Sequence, residues 1–155
     1  MSLQENIKEQ LKNAMRQKNM ERLNILRLIS SAFTNEMVSE ARIATGRKSN
    51  DLLSDEEAIK ILKKEAKKRK DSIEQYIIAN RPELAEVENF ELKVIEEFLP
   101  TQMSREEIFA KVSTKISESI IDPTKKGQFI GLMMKELGSN ADGTLVKKII
   151  DEIIK

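Results

Sequence analysis

The chain contains no cysteine and no histidine. Those absences remove the thiolate nucleophile, the side chain best suited to proton transfer near neutral pH, and the usual ligands of zinc, iron and copper. Tryptophan is missing too, tyrosine occurs once, and the phenylalanines fall on apolar helix faces, so the aromatic platform on which single-strand binders stack bases has nothing to be built from. No Asp-x-Asp or comparable cluster of acids stands out, which leaves no evident seat for a carboxylate-held Mg²⁺ or a working carboxylate pair. No metal, no cofactor and no catalytic residue is expected, and an enzyme working through carboxylates is set aside on these grounds.

Proline and glycine are scarce as well, at three and five residues in 155. With 34% charged and 39% hydrophobic residues, the balance suits amphipathic helices better than strands, and an all-α protein is expected. The 27 basic and 26 acidic side chains leave a net charge of +1, so the molecule as a whole attracts neither nucleic acid nor an anionic membrane. Any such partner must be met by a local patch. No charged-then-apolar leader opens the chain and no run of 18 apolar residues occurs, from which a cytoplasmic protein without a membrane partner is expected.

What is present is helix punctuation. Ser2 with Glu5, Ser54 with Glu57 and Ser104 with Glu107 each form the pattern of a capping box, and Asp122-Pro123 reads as an N-cap followed by proline at the first helical position. The first helix carries Leu3, Ile7, Leu11, Ala14 and Met15 to about Lys18. A second carries Ile25, Leu26, Ile29, Phe33, Met37 and Ala41. From Arg42 to Leu53 the pattern lapses, and residues 46–51 read as an exposed loop. A long third helix runs from Ser54 to about Ala79, and a fourth from Pro82 presents Leu84, Val87, Phe90, Val94, Ile95 and Phe98 up to Pro100. Beyond it come a helix with Ile108, Val112, Ile116 and Ile120, one with Phe129, Ile130, Met133, Met134 and Leu137, and a last one with Leu145, Val146, Ile149, Ile150, Ile153 and Ile154. The expected organisation is a four-helix module over residues 1–100 and a small three-helix module over residues 101–155.

Charge is segregated along this pattern. Lys60, Lys63, Lys64, Lys67, Lys68, Arg69 and Lys70 are interrupted by only one acid, Glu65, whereas the next helix carries Glu83, Glu86, Glu88, Glu91, Glu96 and Glu97 against Lys93. The lysines read either as a phosphate-tracking patch or as the solvated face of a hairpin of complementary helices, and the short connection favours the second. Arg69 falls where the apolar stripe of Ala66 and Ile73 should continue, so it is expected to reach a carboxylate across the hairpin, Glu88 or Glu91.

Four of the five glycines are concentrated in one stretch: Gly127, Gly131, Gly138 and Gly143. Gly127 and Gly131, four apart, share a helix face on which a neighbouring helix or a ligand backbone can come close, with close packing the simpler account. Gly138 is expected to close a helix, and Asp142 to cap the next one ahead of Gly143. Lys125 and Lys126 fall in a first helical turn, opposing its dipole but able to join free N–H groups around an anion.

Lys68-Arg69-Lys70-Asp71-Ser72-Ile73, then Asn80-Arg81-Pro82-Glu83-Leu84-Ala85, then Glu88 and Glu91 before Phe98-Leu99-Pro100, resemble the YqeY-like family. Lys126-Gly127-x-x-x-Gly131-x-Met133-Met134 and Gly138-x-x-Ala141-Asp142-Gly143 resemble its C-terminal signature. The same module forms the C-terminal tail of one component of the aspartyl/glutamyl-tRNA amidotransferase, where it is understood to grip the elbow of tRNA. The resemblance implies an accessory tRNA-binding protein, with tRNA or a tRNA-bound amidotransferase-like complex as partner. A carbon–nitrogen ligase context with glutamine as amido-N donor is implied only through that homology, because nothing here resembles the domain that performs the chemistry. The nucleic-acid-binding residues it implies are Lys125, Lys126, Gly127, Gly131, Gly138, Asn140, Asp142, Gly143, Lys147 and Lys148. Where the family often carries a basic residue before Ala-Asp-Gly, this chain has Asn140, which takes charge away from the second glycine turn. The alternative expectation is a protein-interaction adaptor that binds no RNA.

Overall fold

Three serine caps start three helices. In each, the serine hydroxyl accepts the N–H of a glutamate three residues on, and that glutamate accepts the serine N–H in return: Ser2 with Glu5, Ser54 with Glu57, and Ser104 with Glu107. Two of the donors a helix start leaves unpaired are satisfied this way, a cap worth about 1 kcal/mol. The computed structural model describes residues 1–119 and 121–154. Among them it contains eight α-helices and no strand, and the chain divides into two compact units, Met1–Leu99 and Pro100–Lys155.

The first unit holds α1 (Leu3–Arg16), α2 (Met20–Met37), α3 (Glu40–Ile43), α4 (Asp55–Ile78) and α5 (Pro82–Glu96). α1 and α2 form one hairpin and α4 and α5 another, and the two hairpins close on a core that includes Ile7, Ile25, Leu26, Ile29, Phe33, Leu62 and Ile95. Burying each such side chain contributes roughly 1.5–3 kcal/mol. The turn between α4 and α5 is made by Asn80 at φ 56°, a left-handed conformation that asparagine tolerates better than most residues. Pro82 follows at the start of α5.

Several expectations fail in this unit. The second helix does not run to Ala41: it ends at Met37, and Ser39 caps the separate one-turn helix α3, leaving Ala41 exposed. Arg42, where the helical pattern lapses ahead of the expected exposed loop, is buried. Its guanidinium donates to the carbonyls of Lys48, Asp51 and Leu52 and to Glu57, so the loop is wrapped around the side chain. Val87 and Phe90, expected on the apolar stripe of α5, are 57% and 37% exposed, because the core reaches only as far along α5 as Leu92, Val94 and Ile95.

The second unit holds α6 (Arg105–Glu118), α7 (Lys126–Leu137) and α8 (Gly143–Ile153). Asp122 caps a 3₁₀ turn, Pro123–Lys125, that runs directly into α7. α6 and α7 both pack on α8, the most amphipathic of the three, around Ile108, Val112, Phe129, Met133, Val146, Ile149 and Ile150. Ile120, expected to continue the buried face of α6, lies outside the described residues. Gly138, at φ 71°, closes α7 in a conformation open to glycine at little cost. The N–H of Met103 donates to the carbonyl of Asn140 at 2.7 Å, pinning the segment before α6 to the connection between α7 and α8.

Candidate nucleic-acid interface

The residues expected to meet an anion are distributed over two ends of the second unit. At one end, the first turn of α7 lies beside the last turns of α8, because Lys126 Nζ is 2.6 Å from Asp151 Oδ1. Lys147 and Lys148 stand one turn back from Asp151 on α8 and are exposed, as is Lys125. Among the described residues none of those three lysines forms a salt bridge. Lys125 and Lys126 around the start of α7 and Lys147 and Lys148 midway along α8 make four cations, one of them already paired.

The other end is built differently. The Asp142 carboxylate accepts the N–H of Thr144 at 2.9 Å and of Leu145 at 3.4 Å, so it already occupies the start of α8 where an anion would otherwise sit. Gly143 is held close: a Cβ there would meet the Met134 side chain at 3.4 Å. Gly138 serves the helix end and Asn140 gives its carbonyl to Met103. These four residues, Gly138, Asn140, Asp142 and Gly143, are engaged in closing the fold, and Asp142 puts negative charge there.

Gly127 and Gly131 overturn the simpler account of their spacing. Both are exposed, and a Cβ built on either meets nothing within 4 Å. The face lies opposite Phe129 and Met133, which α7 turns into the core, so no helix of the unit packs on it. Gly131, in the helix interior, costs roughly 1 kcal/mol relative to alanine, and Gly127 in the first turn less. That cost serves no contact inside the unit.

Between α6 and α7 the surface dips into hollows of about 370 and 330 Å³ that share Lys115. Lys115 reaches across to Glu136 at 2.9 Å, and that hydrogen bond, followed by the glutamate's charge, raises the pKa of the ammonium above its ordinary value. Lys125 lines the smaller hollow with Lys115. The lysines of α6 do not stand out in the sequence, where Lys111 and Lys115 are indistinguishable from an ordinary solvated face.

In the first unit the charged hairpin resolves as an ion pair within a packed interface. Arg69 Nε lies 3.3 Å from Glu91, and the same guanidinium bonds Glu65 one turn back on α4. No salt bridge joins Arg69 to Glu88 among the described residues. Burial, and then the neighbouring charge of Glu91, raise the pKa of Glu88, with Arg69 pulling the other way. Burial would also raise Glu65, but its hydrogen bonds from Lys68 and Arg69 outweigh that and hold it below the ordinary value. Lys60, Lys64, Lys67, Lys68 and Lys70 remain at least partly open to water, so α5 does not cover them.

A family model for Yqey-like proteins matches residues 4–154. The chain belongs to the YqeY-like family. A stretch of 58 residues is also 38% identical to a Schizosaccharomyces pombe protein named "Uncharacterized protein C22F3.15", covering 37% of this chain and 47% of the relative, so the match spans less than half of that protein. Family membership takes in both units. Among the described residues no group of three or more acidic side chains is placed to hold a metal ion, and no helix is long and apolar enough to cross a membrane.

Proposed function

We propose that this YqeY-like protein binds folded RNA of the tRNA class through its second unit, holding the sugar–phosphate backbone along the first half of α7. The observation that carries the reading is the open face of Gly127 and Gly131, on a helix whose start also carries Lys125, a cation without a salt bridge among the described residues. Bare helix backbone lets a bulky, rigid surface approach closely, and the ammonium groups of Lys125, Lys147 and Lys148 in the same unit supply the phosphate contacts that position a nucleic acid without reading its sequence. The resemblance to the amidotransferase tail supports tRNA as the RNA, and by the same resemblance the protein serves carbon–nitrogen ligation only as an accessory, adding no chemistry of its own. Gly138, Asn140, Asp142 and Gly143 shape the unit and make no phosphate contact in this reading.

Binding of a tRNA transcript across a salt series tests it. Affinity should fall steeply with salt, and Lys125→Ala should lower the slope of log affinity against log salt by about 1. Binding that ignores salt, or a slope unchanged by Lys125→Ala, contradicts the reading. The exposed Val87 and Phe90 of α5 favour a second role, a protein-docking adaptor. Partners recovered with the protein after nuclease treatment, and lost on Phe90→Glu, would support it.

A further inference from the structure

Lys126 occupies the first turn of α7 and Asp151 the last turn of α8. Each charge stands at the helix end whose dipole it opposes. Arg105, the first residue of α6, and Glu152, beside Asp151, repeat the arrangement with an ion pair of their own. The acids at the end of α8 therefore offset two bases that their own helices disfavour. Arg105 is far along the chain from the glycine face, but Lys126 adjoins Gly127 directly.

We infer that Asp151 is an internal counter-ion that sets how tightly this edge takes a phosphate. In the free protein it holds Lys126, the one cation of the group that is paired, while Lys125, Lys147 and Lys148 stand free among the described residues. Both partners remain partly open to water, at 32% and 44% side-chain exposure, so the pair can exchange. An arriving phosphate must displace the carboxylate before it gains Lys126. This rests on the RNA reading above and names the residue that restrains the same site.

The test is a double-mutant cycle on the full chain: affinity for an unmodified tRNA transcript at low salt for the wild type, Asp151→Asn, Lys126→Ala and the two together. Asp151→Asn should tighten binding by about two- to fivefold, the range an exposed ion pair commands. Lys126→Ala should cost little alone and should cancel the gain in the Asp151→Asn background. Thermal melts establish that each variant is folded. An unchanged affinity on Asp151→Asn overturns the inference, and so does a gain that persists without Lys126, which would mark general repulsion. A wild-type protein that leaves the transcript unbound fails the RNA reading first, at an arm the variants do not touch, and removes the counter-ion role with it.

Discussion

Arg69 Nε sits 3.3 Å from a carboxylate oxygen of Glu91, joining α4 to α5 where the hairpin leaves the apolar core. The Arg69 side chain is only 11% exposed and its guanidinium also bonds Glu65, so one cation serves two half-buried acids. Removing it leaves Glu91 without a salt bridge among the described residues and Glu65 with Lys68 alone. Arg69→Ala should lower stability by roughly 2–4 kcal/mol, below the upper end for buried pairs because the carboxylates retain some water. Urea unfolding measures it. A change under about 0.5 kcal/mol would mean the pair is surface decoration.

Glu88 lies in the same interface without a salt bridge among the described residues, and its pKa is raised by burial and by Glu91. A carboxyl whose folded pKa exceeds its unfolded value adds stability at low pH and loses it as pH rises through the folded value. Glu88→Gln should therefore stabilise the protein at pH 7 and make no difference well below the ordinary carboxylate range. Glu57 is held low, first by the Ser54 backbone N–H and also by Arg42, so Glu57→Gln should act in the opposite sense, destabilising at pH 7 and converging with the wild type in acid. Unfolding curves at pH 3 and pH 7 separate the two. Destabilisation by Glu88→Gln at pH 7 would contradict a raised pKa at that carboxyl.

Arg42 organises residues 44–53 by donating to three of their carbonyls, and to Glu57 at the start of α4. Arg42→Ala leaves the Asp51 carbonyl without a donor among the described residues, and leaves Lys48, Leu52 and Glu57 to their other donors, Asp51 N–H for the first and Arg47 for the other two, so it should cost about 2–4 kcal/mol. Amide hydrogen exchange should show the loss concentrated between Thr45 and Leu53. Uniform protection across the loop in the variant would count against the role.

Much of the helical fold is legible in the sequence because its signals are local. A serine and a glutamate three residues apart, or Asp122 before Pro123, decide a helix start within one turn, whatever the rest of the chain does. Arg42 is not legible, since its partners are backbone carbonyls, which every residue possesses. Nor is the end of α2: Ser39 caps α3 with a lone hydroxyl inside a run whose apolar spacing reads straight through. Glu88 and Glu91 are one turn apart on α5, and only the packing register against α4 chooses between them. At the candidate site, Lys126 and Asp151 meet through tertiary packing, and two glycines four apart look the same in sequence whether a helix packs on them or nothing does.

The central claim, that the bare face of α7 serves an RNA backbone, is tested most directly by replacing both glycines with alanine and measuring stability and tRNA affinity on the same protein. Neither new methyl group meets an atom within 4 Å, and alanine favours helix by up to about 1 kcal/mol at each position, so the variant should unfold at higher denaturant. The account predicts a more stable protein that binds tRNA at least several-fold more weakly. A more stable protein that binds as tightly as the wild type would contradict it.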